Sequence, residues 1–205
     1  SARSWMTLCK SPRALLLGIA LASLSTPALA EDRLVVAGGM ITEVIYELGL
    51  DSAIVGVDTT SVNPERALKE KSNVGYLRAL SAEGILSLNP SKILASVNAG
   101  PPVVLDAVRS AGVPISQVPE PMNEEEIIAN VISIASELGH RSEGAALADK
   151  IKHGFQEVSA RRDKLKSKKR ILFLLSTQNG RLTVAGQHTS PEVMIRLAGA
   201  ENAIQ

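Results

Sequence analysis

The chain has almost no aromatic residues: one Trp, two Tyr and two Phe among 205 residues. So sparse a set excludes the aromatic stacking platforms that hold single-stranded nucleic acids. Cysteine is scarcer still. With Cys9 alone, the chain offers neither a disulfide framework nor a C-x-x-C metal or redox motif. Charge of one sign is missing too: 22 Lys and Arg stand against 21 Asp and Glu, for a formal net charge of +1. That removes the basic excess typical of proteins that grip nucleic acid electrostatically. No G-x-S-x-G, H-E-x-x-H or Walker loop occurs, and Val36-Ala37-Gly38-Gly39 lacks the spacing of a dinucleotide turn. The histidines, His140, His153 and His188, are scattered without metal-ligand spacing. What the chain does hold is aliphatic bulk: 45% of residues are hydrophobic and 21% charged, enough for a core and too apolar for disorder.

Residues 1–30 read as a cleavable secretory signal peptide. Arg3, Lys10 and Arg13 accompany a short apolar run over 14–24, and Ala28-Leu29-Ala30 supplies the small-residue end that cleavage needs. The run is too short to span a bilayer, which takes about 20 apolar residues. Met6 is the expected start. Cys9 sits away from the cleavage site, which argues against a lipoprotein anchor. Cleavage after Ala30 would remove 30 of the 205 residues and leave 175 without cysteine. It would also remove three of the 22 cations, leaving 19 against 21 acids. The expected product is exported and mildly acidic.

From Leu34 onward the pattern alternates. Apolar runs at Leu34–Ala37, 53–57, Lys92–Ser96 and Ile115–Val118 read as strands, and 41–48, 64–71, 82–88 and 103–111 as helices. Such alternation predicts an α/β fold with a parallel sheet covered on both faces, whose ligands sit at the carboxyl ends of the strands. This gives a Rossmann-like N-terminal lobe over 31–122. Asn123, followed by Glu124, Glu125 and Glu126, is a strong helix start. It opens a long connecting helix over 123–169 with an interruption at Gly139, after which Ser142 can cap the second segment. The basic cluster over 161–170 suits a helix carboxyl end and reads as a solvated face.

Two strands are expected beyond it, at 171–175 and 181–185. The second belongs to an internal echo: Arg33-Leu34-Val35-Val36-Ala37-Gly38 against Arg181-Leu182-Thr183-Val184-Ala185-Gly186. Glu43-Val44 and Leu48 likewise align with Glu192-Val193 and Leu197. Repeats of this kind announce duplicated units, so 170–205 is expected to be part of a second, similar lobe. By strand count that lobe is unfinished, and a further roughly 70–90 residues of strand–helix alternation would complete it.

Tyr76 is the residue with chemistry to offer. It lies in the turn-rich stretch 73–81 with Arg78 two residues on. A cation beside a loop tyrosine favours a phenolate, a hard oxygen donor suited to ferric iron, and tyrosine is a known haem ligand. The ordinary alternative is a buried, hydrogen-bonded tyrosine. Tyr46, beside Ile45 and Leu48, reads as packing. Met40, Met122 and Met194 have no comparable loop context.

At these residues the chain resembles the periplasmic haem-binding proteins of bacterial haem ABC importers. The likeness is carried by Val55-Gly56-Val57-Asp58-Thr59-Thr60-Ser61, by Val74-Gly75-Tyr76-Leu77-Arg78-Ala79-Leu80-Ser81-Ala82-Glu83-Gly84, and by Ala99-Gly100-Pro101-Pro102. It implies a class III periplasmic binding protein: two Rossmann-like lobes joined by a long helix. It also implies haem b as cargo, an inner-membrane ABC permease as partner, no catalysis, and a monomer when complete. By the same resemblance Tyr76 ligates the haem iron and Arg78 hydrogen-bonds the ligand oxygen or haem edge. Gly100, Pro101 and Pro102 form a wall of the cleft. Glu83 docks on permease arginines, although a helix-capping acid is an equal reading of its position. Some family members use a histidine just after the first second-lobe strand; here Leu175-Ser176 is followed by Thr177, so that ligand is missing. His188 is placed either to face the cleft from the second lobe or to be a surface histidine. The competing readings are a siderophore or corrinoid carrier of the same architecture and, further off, a periplasmic enzyme.

Overall fold

The computed structural model describes residues 32–204, so the expected signal peptide over 1–30 lies outside the described residues. The first lobe runs β1 (Leu34–Ala37), α1 (Gly39–Glu47), β2 (Ile54–Val57), α2 (Arg66–Glu70), β3 (Ser72–Asn73), β4 (Gly75–Tyr76) and β5 (Ala79–Leu80). It continues with α3 (Ala82–Leu86), β6 (Lys92–Ser96), α4 (Pro102–Ser110) and β7 (Ile115–Val118). Five strands form one parallel sheet in the order β3-β2-β1-β6-β7. The edge strand β3 was not expected: its Ser72 and Asn73 are polar and exposed, so no apolar run marks it. The segment around Tyr76, expected as turns, is a two-stranded antiparallel hairpin of β4 and β5.

The period-2 alternation of β1 divides the core. Leu34 and Val36 join Val44, Ile45, Val131, Ile134 and Ala148 on one face of the sheet. Val35 and Ala37 join Ile85, Leu105 and Val108 on the other. The central strands β1 and β6 thus bury both faces, which is why they read as continuous apolar runs.

The connection is where expectation and structure part. In place of one helix over 123–169 there are two, α5 (Glu124–Glu137) and α6 (Arg141–Arg162), packed against each other. Asn123 is the cap expected: its side chain accepts from the Glu126 amide at 2.8 Å, while Glu126 accepts from the Met122 amide at 2.7 Å. Gly139 takes a positive φ and the His140 amide bonds back to the Ala135 carbonyl, closing α5 so that the chain turns back. Ser142 is not the cap of α6. His140 occupies that position without a capping bond from its side chain, which meets the Glu143 carboxylate, and the Ser142 hydroxyl also donates to Glu143. The turn back works because Gly144 faces Ala135: a Cβ at 144 would lie 2.2 Å from the Ala135 Cβ.

Beyond α6 come β8 (Arg170–Ile171), β9 (Leu174–Gln178), β10 (Arg181–Val184), α7 (Ser190–Leu197) and β11 (Glu201–Asn202). The single strand expected at 171–175 is divided between β8 and β9. β9 and β10 form an antiparallel hairpin whose turn is Asn179-Gly180, both with positive φ, the signature of a two-residue hairpin loop. β8 pairs in parallel with β11, as β1 pairs with β2. The echo therefore holds for α1 with α7, and β11 follows α7 as β2 follows α1. Its first member is corrected: the counterpart of β1 is β8, and β10 is the return arm of an inserted hairpin. Ile171, Leu172, Phe173, Leu174 and Leu175 are all exposed.

The helix contact has a direct test. Gly144→Leu forces α6 off α5 and is expected to cost about 1–3 kcal/mol, read as a lower urea midpoint. Gly154, also in α6 but with nothing within 4 Å of its Cβ position, should gain about 0.5–1 kcal/mol on Gly154→Ala. Equal effects at the two positions would show that α5 and α6 do not pack here.

Candidate functional site

The order of the sheet reverses between β1 and β6, and the loops at their carboxyl ends open a crevice there, the place where such sheets bind ligands. Asp58, at the end of β2, organises it. Its side chain is fully buried and accepts hydrogen bonds from the Gly38 amide at 2.8 Å, the Thr60 amide at 2.9 Å and the Ser61 hydroxyl at 3.3 Å. The Thr60 hydroxyl in turn accepts from the Gly39 amide at 3.1 Å. The loops after β1 and β2 are thus tied together.

The tie extends to the hairpin. The Thr59 amide donates to the Gly75 carbonyl at 2.9 Å. Gly75 has φ +107°, and a Cβ there would lie 2.7 Å from the Ala79 carbonyl oxygen, so only glycine lets the hairpin close. On its other side the Gly100 amide donates to the Leu77 carbonyl and the Leu80 amide to the Gly100 carbonyl, both at 2.9 Å. The structure therefore brings the Tyr76–Arg78 segment and the Gly100 loop together through backbone bonds. Gly100 is buried and braces the hairpin from behind, whereas Pro101 and Pro102 are exposed.

Above this shelf lies a cavity of about 390 Å³, within the range of about 300–1,000 Å³ usual for ligand pockets. Met40, Ile41, Thr60, Leu77, Val118 and Glu120 line it from the first lobe, and Ser190, Val193, Met194 and Leu197 from α7. Of the hairpin, Leu77 forms the wall. Tyr76, next to it in the chain, is not among the lining residues and is 51% exposed, so the buried tyrosine of the ordinary alternative does not describe it. Arg78 and Glu83 are exposed, and no ion pair among the described residues uses either. α3 is capped by Ser81, whose hydroxyl accepts from the Gly84 amide at 3.0 Å. Glu83 is therefore not the side chain that caps it. His188 is exposed with φ +57°, two residues ahead of the cavity-lining Ser190.

Sequence reasoning passed over three features of this site. Asp58 carried a signal, a lone acid closing an apolar strand. Glu120 did as well, standing between two prolines just after β7. Met40 and Met194, set aside for want of loop context, both line the cavity, one from each lobe.

Residues 34–205 match the family model described as periplasmic binding protein. The chain belongs to the periplasmic binding protein family. This family member is 38% identical to the periplasmic haem-binding protein BhuT solved in complex with two haems, with a TM-score of 0.79 over 84% of this chain and 67% of that one. It is 35% identical to the apo periplasmic haem-binding protein RhuT from Roseiflexus sp. RS-1, with a TM-score of 0.80 over 84% of this chain and 66% of that one. A vitamin B12-binding protein of Yersinia pestis (strain Pestoides F) is 29% identical over 181 residues, which are 87% of this chain and 62% of that relative. The chain thus spans less than two thirds of that curated relative's length. With its parallel lobe, long helix α6 and the start of a similar second lobe, the fold is that of the class III periplasmic binding proteins.

Tyr46 shows what the other tyrosine does instead. It is buried in the first-lobe core with no hydrogen-bond partner for its hydroxyl, and the Arg66 guanidinium lies 4.6 Å from its ring centroid. Burial, then the carboxylates of Glu70 and Asp51, hold its phenol above the usual value of 10.0, against the smaller pull of Arg66. The folded state therefore keeps this proton longer than the unfolded one, so its contribution is intact below pH 10 and is lost as pH climbs through the raised folded value. Tyr46→Phe is expected to be neutral or up to about 1 kcal/mol stabilising at pH 7 and to lessen the alkaline loss. Denaturation midpoints at pH 7 and above pH 10 check this.

Proposed function

We propose that the chain is the haem-carrying component of a bacterial ABC importer, exported by a cleaved signal peptide, with haem b as cargo rather than cofactor. One observation carries the reading: an exposed tyrosine on a braced hairpin, next in the chain to Leu77, which lines an apolar cleft. A phenolate oxygen suits ferric iron, and an apolar cleft suits a porphyrin face. Haem-binding relatives at 35% and 38% identity support it. Arg78, two residues on, is free to meet the ligand's oxygens or its edge, and Gly100 holds the hairpin through its backbone, while Gly100, Pro101 and Pro102, expected as a wall of the cleft, are not among the residues lining the cavity. Thr177, in β9, offers no imidazole, so a second-lobe ligand would have to come from elsewhere, with His188 the one exposed histidine near α7.

A haemin titration followed by absorbance tests this. The expected product is five-coordinate, high-spin and tyrosinate-like. Tyr76→Phe should lose the charge-transfer band and retain haem less well, while Tyr46→Phe changes neither. An unchanged Tyr76→Phe spectrum refutes the ligand assignment. The vitamin B12-binding relatives favour a corrinoid carrier as second reading, and binding of cyanocobalamin without binding of haemin would establish it instead.

For delivery, Glu83 is the candidate contact with the permease, because Ser81 already caps α3 and leaves the carboxylate uncommitted. Glu83→Arg should leave haemin binding unchanged and lower transport in reconstituted vesicles. Unaltered transport would confine Glu83 to the helix dipole.

A further inference from the structure

Positive charge after residue 30 is gathered in one place. Seven of the 19 cations there fall within the ten residues 161–170, with Asp163 the one acid among them. The remainder of residues 31–205 holds 12 cations against 20 acids, so a basic patch sits on an otherwise acidic body. A helix carboxyl end attracts cations only within its last turn. That accounts for Arg161 and Arg162, which close α6. It does not account for Lys164, Lys166, Lys168, Lys169 and Arg170, which lie beyond the helix and are all exposed. Of these five, Lys168 alone joins an ion pair among the described residues, a long one of 3.9 Å to Glu201. The segment that carries them is nevertheless held. The Leu165 amide donates to the Arg162 carbonyl at 2.9 Å, and the Glu201 amide to the Lys169 carbonyl at 2.8 Å. A Cβ at Gly199 would lie 2.8 Å from the Leu165 side chain, yet Leu165 stays 53% exposed amid the lysines.

We propose that residues 161–170 form a docking surface for an anionic phospholipid bilayer. Cations strung along an irregular segment, most of them lysine, suit diffuse negative charge. A single anion is better held by convergent, bidentate donors. Clusters of about four to eight Lys and Arg are the size that adsorbs to anionic headgroups, and Leu165 adds an apolar side chain able to enter the headgroup region. An exported protein works beside such a bilayer and apart from nucleic acid, so lipid is the polyanion within reach. α7 begins at Ser190 in the cavity wall, and Gly199, just past its end, packs against Leu165. Its eight residues span about 12 Å. Patch and cavity thus lie at opposite ends of α7, and a bilayer held at one leaves the other open to solvent. Such adsorption serves uptake of cargo at the membrane surface rather than its handover. The proposal rests on export of the chain and not on which ligand the cleft takes.

Co-sedimentation with vesicles reads the docking directly, on protein purified as cells export it. At about 50 mM salt it should bind vesicles of about 30% phosphatidylglycerol in phosphatidylcholine, and at about 300 mM it should lose most of that binding. Vesicles of phosphatidylcholine alone should not retain it. Lys164→Gln with Lys166→Gln and Lys169→Gln should weaken adsorption about a hundredfold. Lys69→Gln with Lys150→Gln and Lys152→Gln removes the same charge from exposed positions elsewhere and should change adsorption less than about twofold. Equal losses in the two triple variants would mean that net charge alone is read, and would overturn docking at this surface. Equal binding to both kinds of vesicle would overturn it too. Retention on immobilised polyglutamate without binding to vesicles would make the partner an acidic protein and overturn the lipid assignment. Matching melting temperatures by circular dichroism keep a folding defect from being taken for lost docking. Haemin titrations with and without vesicles should coincide. Adsorption by a protein that binds no haemin upholds the docking surface and rejects the haem reading, so the two failures are told apart.

Discussion

A carboxylate cut off from water sets the geometry of everything at the cleft. Burying Asp58 is costly unless its oxygens are bonded, and the bonds available come from the Gly38 and Thr60 amides and the Ser61 hydroxyl. Those two amides begin the loops after β1 and β2, so satisfying one side chain fixes both. Thr60 and Thr59 then pass the constraint to Gly39 and Gly75, and the hairpin passes it to Gly100. Tyr76 is exposed, yet it stands on a backbone held on both sides. Preorganisation of this kind spares a ligand the cost of ordering the loop that receives it.

The sheet beneath explains why the shelf faces one way. Parallel strands place all their carboxyl ends on one edge, and the reversal of strand order at β1 and β6 separates neighbouring loops into a crevice. Gly38 and Ser96, at the ends of those two strands, both line the cavity. The rest of its wall is mainly aliphatic or thioether, as a chain with few aromatics must provide. A flexible, polarizable Met on each side, Met40 and Met194, can follow the shape of a ligand where rigid rings would not.

Much of the first lobe was legible because its strands are buried on both faces and so announce themselves as apolar runs. β3 escaped because Ser72 and Asn73 lie at an exposed edge where no apolar pattern is demanded. The reversal between α5 and α6 escaped for another reason. Gly139 can interrupt a helix without turning it, and what decides the turn is the fit of Gly144 against Ala135, a tertiary fact. The Asn179-Gly180 turn was readable in principle, but the apparent echo of Arg33–Gly38 drew residues 181–186 toward a parallel strand. Of the candidate site, Tyr76 was singled out through its motif, whereas Glu120 meets its partners, Asn98 and Ser190, only in the folded chain.

The division of labour at the cleft follows from what a carrier of the proposed kind must do, which is to hold a ligand and then give it up. A deeply buried donor within a rigid cavity would serve the first task and obstruct the second. Here the strong constraints, Asp58 and the backbone bonds of the hairpin, lie wholly within the first lobe. The bonds that span the lobes are exposed and few, and water can replace each of them at little cost. Tyr76 belongs to the rigid side of that boundary: its position depends on Gly75 and Gly100, not on α7. The placement of Tyr76 is thus a property of the first lobe alone.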